Sequence, residues 1–429
     1  MVLGLKNVSR VGFHWILPYR ATYFHWQHWH GTWIKFFKCR LGKGIMPRES
    51  VLLPVEPSVM QWLRESAGWT TGETSSKLGV QEESYLRLER GEKKPTLRQI
   101  TLLAKAFRRP MTAFLLPAPQ QESALPQDFR KLPKDKREFG RKMRRIFRKS
   151  RWLQETSKEL MSNLNINLDP AIRICRLSDN PSSVAERERT ASPVTLDMQM
   201  KWKSPYAAFA GWREYIESKN IRVFQISMPM EEARGFSLTD AKPHVIVVNS
   251  ADDINARIFT LFHEYAHILL AKTSVCMPEF MQLDDSGETA AIERWCNKFA
   301  ADFLLPQSVL EHLGKNAPNV DVGRLSSKLK VSKYALMIRM KEFGVISDRQ
   351  LSEFLNKAPQ TPSGKKGGFG KGLTQLDRAR QEKGNGYLLL VMENLDRGMI
   401  NTKDALDYLS VRMKYLEKIK SKEKGAKNA

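Results

Sequence analysis

Two histidines four residues apart, with a glutamate beside the first, are the residues in this chain best suited to chemistry. They lie in Ile258–Leu270, which reads Ile-Phe-Thr-Leu-Phe-His-Glu-Tyr-Ala-His-Ile-Leu-Leu. On a helix, His263 and His267 fall one turn apart on one face, so both imidazoles can reach a single ion. Neutral imidazole suits zinc, and Glu264 is placed to take a proton from water held at such an ion. Phe259, Phe262, Ala266, Leu269 and Leu270 recur at helical spacing with no Gly or Pro among them, so the segment reads as a helix. The same pattern arises where two histidines on a half-buried helix merely satisfy neighbouring carbonyls. A third ligand decides between the two.

That ligand is offered 26 positions after His267. The run Ile292–Pro306 reads as a second helix stopped by its proline, with Glu293 and Asn297 sharing a face. Glu293 can complete a two-histidine, one-glutamate shell that leaves a fourth position open. Asn297 can orient a ligand histidine by accepting its second ring N–H. Cys296 reads as a small buried residue and not as a ligand. The pair of stretches His263–His267 and Glu293-x-Trp-Cys-Asn-Lys-Phe-Ala-Ala-Asp-Phe-Leu-Leu-Pro306 closely resembles the ImmA/IrrE family of metallo-endopeptidases, over about residues 200–345. Gly235–Leu238 and Val245–Ser250 resemble strands of the same family. The resemblance implies zinc as cofactor, His263, His267 and Glu293 as its ligands, and Glu264 as general base. It further implies that the substrate is a specific regulatory protein, typically a repressor.

The elements that must position these residues are short. Ala207–Lys219 reads as a helix with Phe209, Trp212, Tyr215 and Ile216 inward. Ile221–Ile226, Gly235–Leu238 and Val245–Asn249 read as strands, β-branched or aromatic and bounded by turn residues. Three strands ahead of the His263 helix predict a zincin-like α+β domain with a small sheet, in a chain that is otherwise mostly helical. An exposed edge strand beside that helix offers a place to hold a substrate in extended form. His244 and Tyr265 are candidate donors to a tetrahedral oxyanion, although packing roles account for both.

Residues 58–116 carry a second pattern. Val59, Trp62 and Leu63 give a first helix its apolar face, and Thr70-Thr71-Gly72-Glu73 matches a capping box that opens a helix through Leu78. Gly79-Val80 supplies a turn, Glu82–Glu89 forms a third helix that ends at Gly91, and a fourth starts at Pro95-Thr96. Leu97, Ile100, Leu103, Ala104 and Phe107 lie on its apolar face. This order, with Lys77-Leu78-Gly79-Val80 and Leu88-Glu89-Arg90-Gly91 at their usual offsets, resembles the Cro/CI-type helix-turn-helix of the XRE family. The resemblance implies an all-α domain whose third helix enters the major groove. Gln81, Ser84 and Arg87 are then the candidates for contacting DNA bases, with Lys77, Lys93 and Lys94 towards the phosphates. Gly72 and Thr74 stand where a better helix former and an apolar residue are expected. Glu82 and Glu83 put carboxylates, which phosphate repels, into the first turn of the third helix. Retention of the unit as a protein-docking or dimerisation module is the alternative.

The 429-residue chain carries a formal net charge of +24, a balance that favours a polyanionic partner, with an anionic membrane surface as the competing explanation. From Arg130 to Lys158 there are thirteen Lys or Arg against three acids, while Met143, Ile146, Phe147 and Leu153 keep a helical period. Such a run is either a solvated helix face or a phosphate contact. Cys39, Cys175, Cys276 and Cys296 are scattered without paired spacing, which fits a reducing, cytoplasmic setting. No apolar run approaches the length of a membrane-spanning helix.

The reading divides the chain into a disordered N-terminal extension, 1–57, the helix-turn-helix domain, 58–116, and a linker with a basic helical segment, 117–200, loosely ordered beyond 165. The peptidase domain, 201–345, and a C-terminal helical region with a linker and a basic tail, 346–429, complete it. Residues 1–45 hold four of the eight histidines and four of the ten tryptophans, but basic residues interrupt every apolar run. Met46 is therefore taken as the start, and what precedes it as an extension that does not fold. The whole reads as a cytoplasmic DNA-binding regulator with zinc-dependent endopeptidase activity towards a repressor-like or antitoxin-type protein, without a membrane partner and compatible with a homodimer. The rival is a DNA-binding transcriptional regulator or antitoxin whose peptidase fold cleaves nothing.

Overall fold

A computed structural model describes residues 51–120, 139–272, 274–276, 287–314, 321–357 and 372–419. The aromatic N-terminal segment, the expected start at Met46 and the final lysine-rich residues lie outside the described residues.

From Val51 the chain forms α1 (Pro57–Ser66), α2 (Thr71–Leu78), α3 (Glu82–Glu89) and α4 (Leu97–Phe107), then a tight 3-10 turn at Met111–Leu115. The starts are set locally. Pro57 fixes the first turn of α1, Thr70 and Glu73 form a reciprocal capping box on α2, and Thr96 and Gln99 form another on α4. Gly79, with φ 68°, ends α2 in the left-handed region that glycine enters without strain. Val59, Leu63, Tyr85, Leu88, Ile100, Leu103 and Phe107 close one core. Thr74 fills its apolar position because its hydroxyl donates to Thr70 O at 2.7 Å, inside the helix. Arg64 of α1 forks onto the buried Glu89 of α3, with contacts of 2.7–3.1 Å. Leu97 departs from its expected inward place. It is 40% exposed at the first turn of α4, where its amide donates to Val51 O.

The rest follows as α5 (Arg141–Asn163), α6 (Pro181–Thr190), α7 (Leu196–Lys201), α8 (Pro205–Glu217), β1 (Arg222–Ile226), β2 (Gly235–Leu238), β3 (Val245–Asn249) and α9 (Ile254–Leu269). Then come β4 (Ser274–Cys276), α10 (Glu288–Leu304), α11 (Gln307–Gly314), α12 (Val322–Leu329), α13 (Lys333–Glu342), α14 (Asp348–Lys357), α15 (Gln375–Asp396) and α16 (Thr402–Leu409). The strands lie in the order β1-β3-β2-β4, with β1 parallel to β3 and the other pairings antiparallel. Phe224, Val247 and Phe236 stand side by side across three of them.

Side chains alternate across a sheet, and both faces here are covered. Val223, Ile246 and Val248 join a core with α8, α9 and α10, whereas Phe224, Phe236, Val245 and Val247 join another with α5, α15 and α16. That is why Val245-Ile246-Val247-Val248 is an unbroken apolar run. The molecule is a mostly helical α+β fold, as expected, but two stretches placed outside the domain that holds the sheet belong to its core. The second sheet face is built by α5 and α15, one from each flank. Arg213 fastens α15 by donating to Gln381 O at 3.0 Å while its Nε donates to Glu217 at 3.0 Å. Residues 165–200 are not loosely ordered either. They hold α6 and α7, and Val184, Ala185 and Val194 are buried, α6 packing on α10. Among the described residues no helix is long and apolar enough to cross a membrane.

Candidate functional site

The helix that carries the histidine pair is buried almost all round, which is unusual for a segment with two imidazoles and a carboxylate. Asp253 caps its N-terminus by accepting from Asn255 N at 2.9 Å, and His263, Glu264 and His267 are at most 1% exposed. Burying such groups costs several kcal/mol unless they are paired or hold an ion. Strand β2 passes directly against this turn. A Cβ added to Gly235 would lie 2.5 Å from Thr260 Cγ2, 3.0 Å from Val247 O and 3.5 Å from Glu264 Cγ. Only a residue without a side chain allows that approach, a role for Gly235 that strand propensity does not reveal.

Helix α10 brings up the third group. Aromatic contacts set its distance from α9, with Phe262 stacked on Phe303 at 4.2 Å between centroids and Tyr265 tilted against Phe299 at 6.0 Å. Glu293 Oε2 lies 3.2 Å from His263 Nε2, Glu293 Oε1 lies 3.3 Å from His267 Nε2, and the two Nε2 atoms are 3.1 Å apart. These edges can be compared with zinc chemistry. A tetrahedral ion with bonds of about 2.0–2.1 Å separates its donors by roughly 3.3–3.4 Å. The donor set and its spacing fit a metal ion. Among the described residues, His263, His267 and Glu293 form the group able to hold one, and Cys296 is buried apart from it.

Asn297, one turn beyond Glu293, turns its Oδ1 to His263 Nδ1 at 2.9 Å. A carbonyl oxygen accepts there, so Nδ1 carries a proton and Nε2 is the ring nitrogen that faces Glu293 and His267. Burial opposes ionisation of Glu293, but the hydrogen bond and charge of His263, then those of His267, hold its carboxyl well below the usual range. Glu293 keeps 38% of its side chain exposed, so solvent reaches the cluster from its side.

Residues 216–341 match the family model of the IrrE N-terminal-like domain, a peptidase M78 domain. Residues 60–114 match a helix-turn-helix family model. No curated protein matches the chain. The fusion read from the sequence is therefore the one present. The IrrE-like segment spans β1 to α13 and leaves α5, α15 and α16, which cover its sheet, outside the match. Its α10 is braced from behind. Arg339 of α13, 2% exposed, reaches Asp302 at 2.6 Å, and Lys298, next to Asn297, reaches Glu342 at 2.8 Å.

The two oxyanion-donor candidates are engaged elsewhere. Tyr265 donates to the buried Glu188 of α6 at 2.7 Å, and His244 Nδ1 lies 3.2 Å from Ala241 O at the start of β3. Burial lowers the His244 pKa.

In the helix-turn-helix, Lys77, Gln81, Ser84, Arg87, Lys93 and Lys94 are all exposed. Gln81 is the N-cap of α3, which places it and Ser84 in the first turn. Glu82 has a local task. It accepts the Thr71 hydroxyl and ties α3 to α2, while Glu83 pairs with Arg90 at 3.6 Å. The two carboxylates are thus partly spent on the protein itself, which answers much of the objection that they raise against phosphate.

Proposed function

We propose that this chain is a DNA-binding regulator that cleaves one specific regulatory protein, repressor-like or antitoxin-like, with a zinc-dependent endopeptidase. The observation that supports it best is the meeting of His263, His267 and Glu293 donor atoms within 3.1–3.3 Å on a buried helix that also carries Glu264. These three residues would hold zinc, with Asn297 orienting His263. Zinc, when bound, supplies Lewis-acid polarisation of an amide carbonyl and of water. Glu264 takes the proton of the attacking water and returns it to the departing amine. Strand β4, at the end of the sheet order, offers backbone groups to an extended substrate. Gln81, Ser84 and Arg87 face the bases and Lys77, Lys93 and Lys94 the phosphates. The setting is the cytoplasm, which the buried free thiols of Cys175 and Cys296 suit.

The test is Glu264→Gln. Loss of the carboxylate removes proton transfer, worth about 10²–10⁴-fold in rate, and leaves three donors for the metal. The variant should retain its zinc by elemental analysis and co-purify with an intact partner that the wild type yields in two pieces. Recovery of the same intact partner with both proteins, zinc-replete, would refute proteolysis and favour a regulator whose fold cleaves nothing.

A further inference from the structure

The basic run that opens α5 is the strongest charged feature left unexplained, and most of its cations are already committed. Arg141 lies over the Trp69 ring at 4.2 Å, donates to Gly68 O at 3.1 Å and pairs with Glu73. Arg148 donates to Ser66 O at 2.7 Å. These contacts clasp α5 to the joint between α1 and α2. Lys149 pairs with Glu382 at 2.5 Å and Arg151 with Asp240. Lys142 and Arg145 are different. Both are exposed, and among the described residues neither has a hydrogen-bond or ion-pair partner.

We propose that Lys142 and Arg145 of α5, with Lys77 of α2, form a second DNA-backbone contact that extends the helix-turn-helix footprint. The proposal rests on reading residues 60–114 as a DNA-binding unit. When such a unit docks, the helix before the reading helix crosses the phosphate backbone. Here that helix is α2, and Arg141 sits beside it, lining with Trp69, Gly72, Glu73, Ser76 and Lys77 a groove of about 490 Å³ open to solvent. Glu73, the acid in the groove, is neutralised, since it accepts from Thr70 N–H at 3.0 Å and pairs with Arg141. With Glu73 balanced by Arg141 the groove keeps the charge of Lys77, and the exposed Lys142 and Arg145 lie one and four residues on from Arg141 along the helix clasped to it. The surface suits DNA better than a lipid interface. Of the large apolar side chains of α2 and α5 only Trp152 is exposed, and it packs edge-on against Tyr408 at 6.0 Å, whereas interfacial binding needs a continuous apolar face.

The experiment uses the full chain, a double variant Lys142→Gln/Arg145→Gln, and a short random-sequence duplex over a salt series. Each phosphate contact contributes about 0.9 to the slope of log K against log salt. The double variant should be shallower by nearly 2, so that wild type loses roughly tenfold more affinity than the variant between about 50 and 200 mM salt. Both side chains are exposed, so melting temperature and zinc content should stay at the wild-type values. Arg87→Ala, by contrast, should keep the slope on random DNA and relax sequence preference. A wild type that binds with an unchanged slope in the double variant overturns this inference and leaves the DNA reading intact. A wild type with no salt-dependent binding overturns both. If instead the double variant loses binding to phosphatidylserine vesicles while its DNA slope is unchanged, the patch belongs to a membrane and the inference falls.

Discussion

Gly235→Ala tests whether the contact between β2 and α9 sets the geometry of the candidate metal site. The new methyl would sit 2.5 Å from Thr260 Cγ2, about 0.9 Å short of ordinary contact, and 3.0 Å from a backbone oxygen that cannot swing away. Something must move by nearly that much, and α9 carries both histidines. Overpacking of this kind costs about 1–3 kcal/mol, against the roughly 0.4–1 kcal/mol that Gly→Ala recovers from the unfolded state. A net loss of about 1–2 kcal/mol should appear as a fall of about 2–4 °C in Tm per kcal/mol. Zinc affinity should fall more visibly, by about 10–100-fold, because three donors from two helices must coincide. Competition with a chromophoric chelator measures it. Adding Thr260→Ser deletes the clashing Cγ2 and should restore most of both quantities. Wild-type Tm and zinc affinity in Gly235→Ala would show that the approach is slack and the reasoning wrong.

Two further perturbations address other parts of the molecule. Asn297→Ala should weaken zinc by about 10–100-fold while Asn297→Asp, which keeps an acceptor for His263 Nδ1–H, should weaken it less; the same titration reads both. Lys383, 1% exposed and donating to Ser410 at 2.8 Å, has its pKa pushed down by burial from 10.5 to about 8. Below about pH 8 the folded state must carry a buried charge. Between about 8 and 10 it sheds the proton while the unfolded chain keeps it, so this group's contribution rises with pH, on the order of 3 kcal/mol in full. Lys383→Met should therefore be more stable than wild type at pH 7, with the gap closing as pH rises; denaturant melts at several pH values would show a constant gap if the argument fails.

The grouping of possible metal donors was legible in the sequence because it is local. His263 and His267 need only a helix between them, and Glu293 with Asn297 needs only a second. The capping boxes at Thr70 and Thr96 were equally readable, since each is closed by a residue three positions on. What could not be read was who faces whom. Gly235 looks like any strand glycine until α9 is laid against it. Helices α5 and α15 were foreseen as helices, but nothing along the chain says that both lie on one side of a sheet whose strands come between them. In 165–200, three small apolar residues among charges hid two helices, because Val184 and Ala185 gain their weight only from α10. Leu97 fits the helical period yet ends up outside, because the core stops one turn short of the helix end.

The second face of the sheet has a consequence for how the protein is made. Phe224, Phe236, Val245 and Val247 leave the ribosome long before Tyr387, Leu388 and Val391, which cover them. Until α15 arrives, the nascent chain offers a sticky apolar surface and an unbraced sheet beneath the helix that carries His263 and His267. The candidate site therefore gains its full support only once α15 has been made. A chain stopped at residue 371 should be insoluble, and supplying residues 372–419 in trans should recover it; a soluble, zinc-loaded truncation would show that the last helices are dispensable.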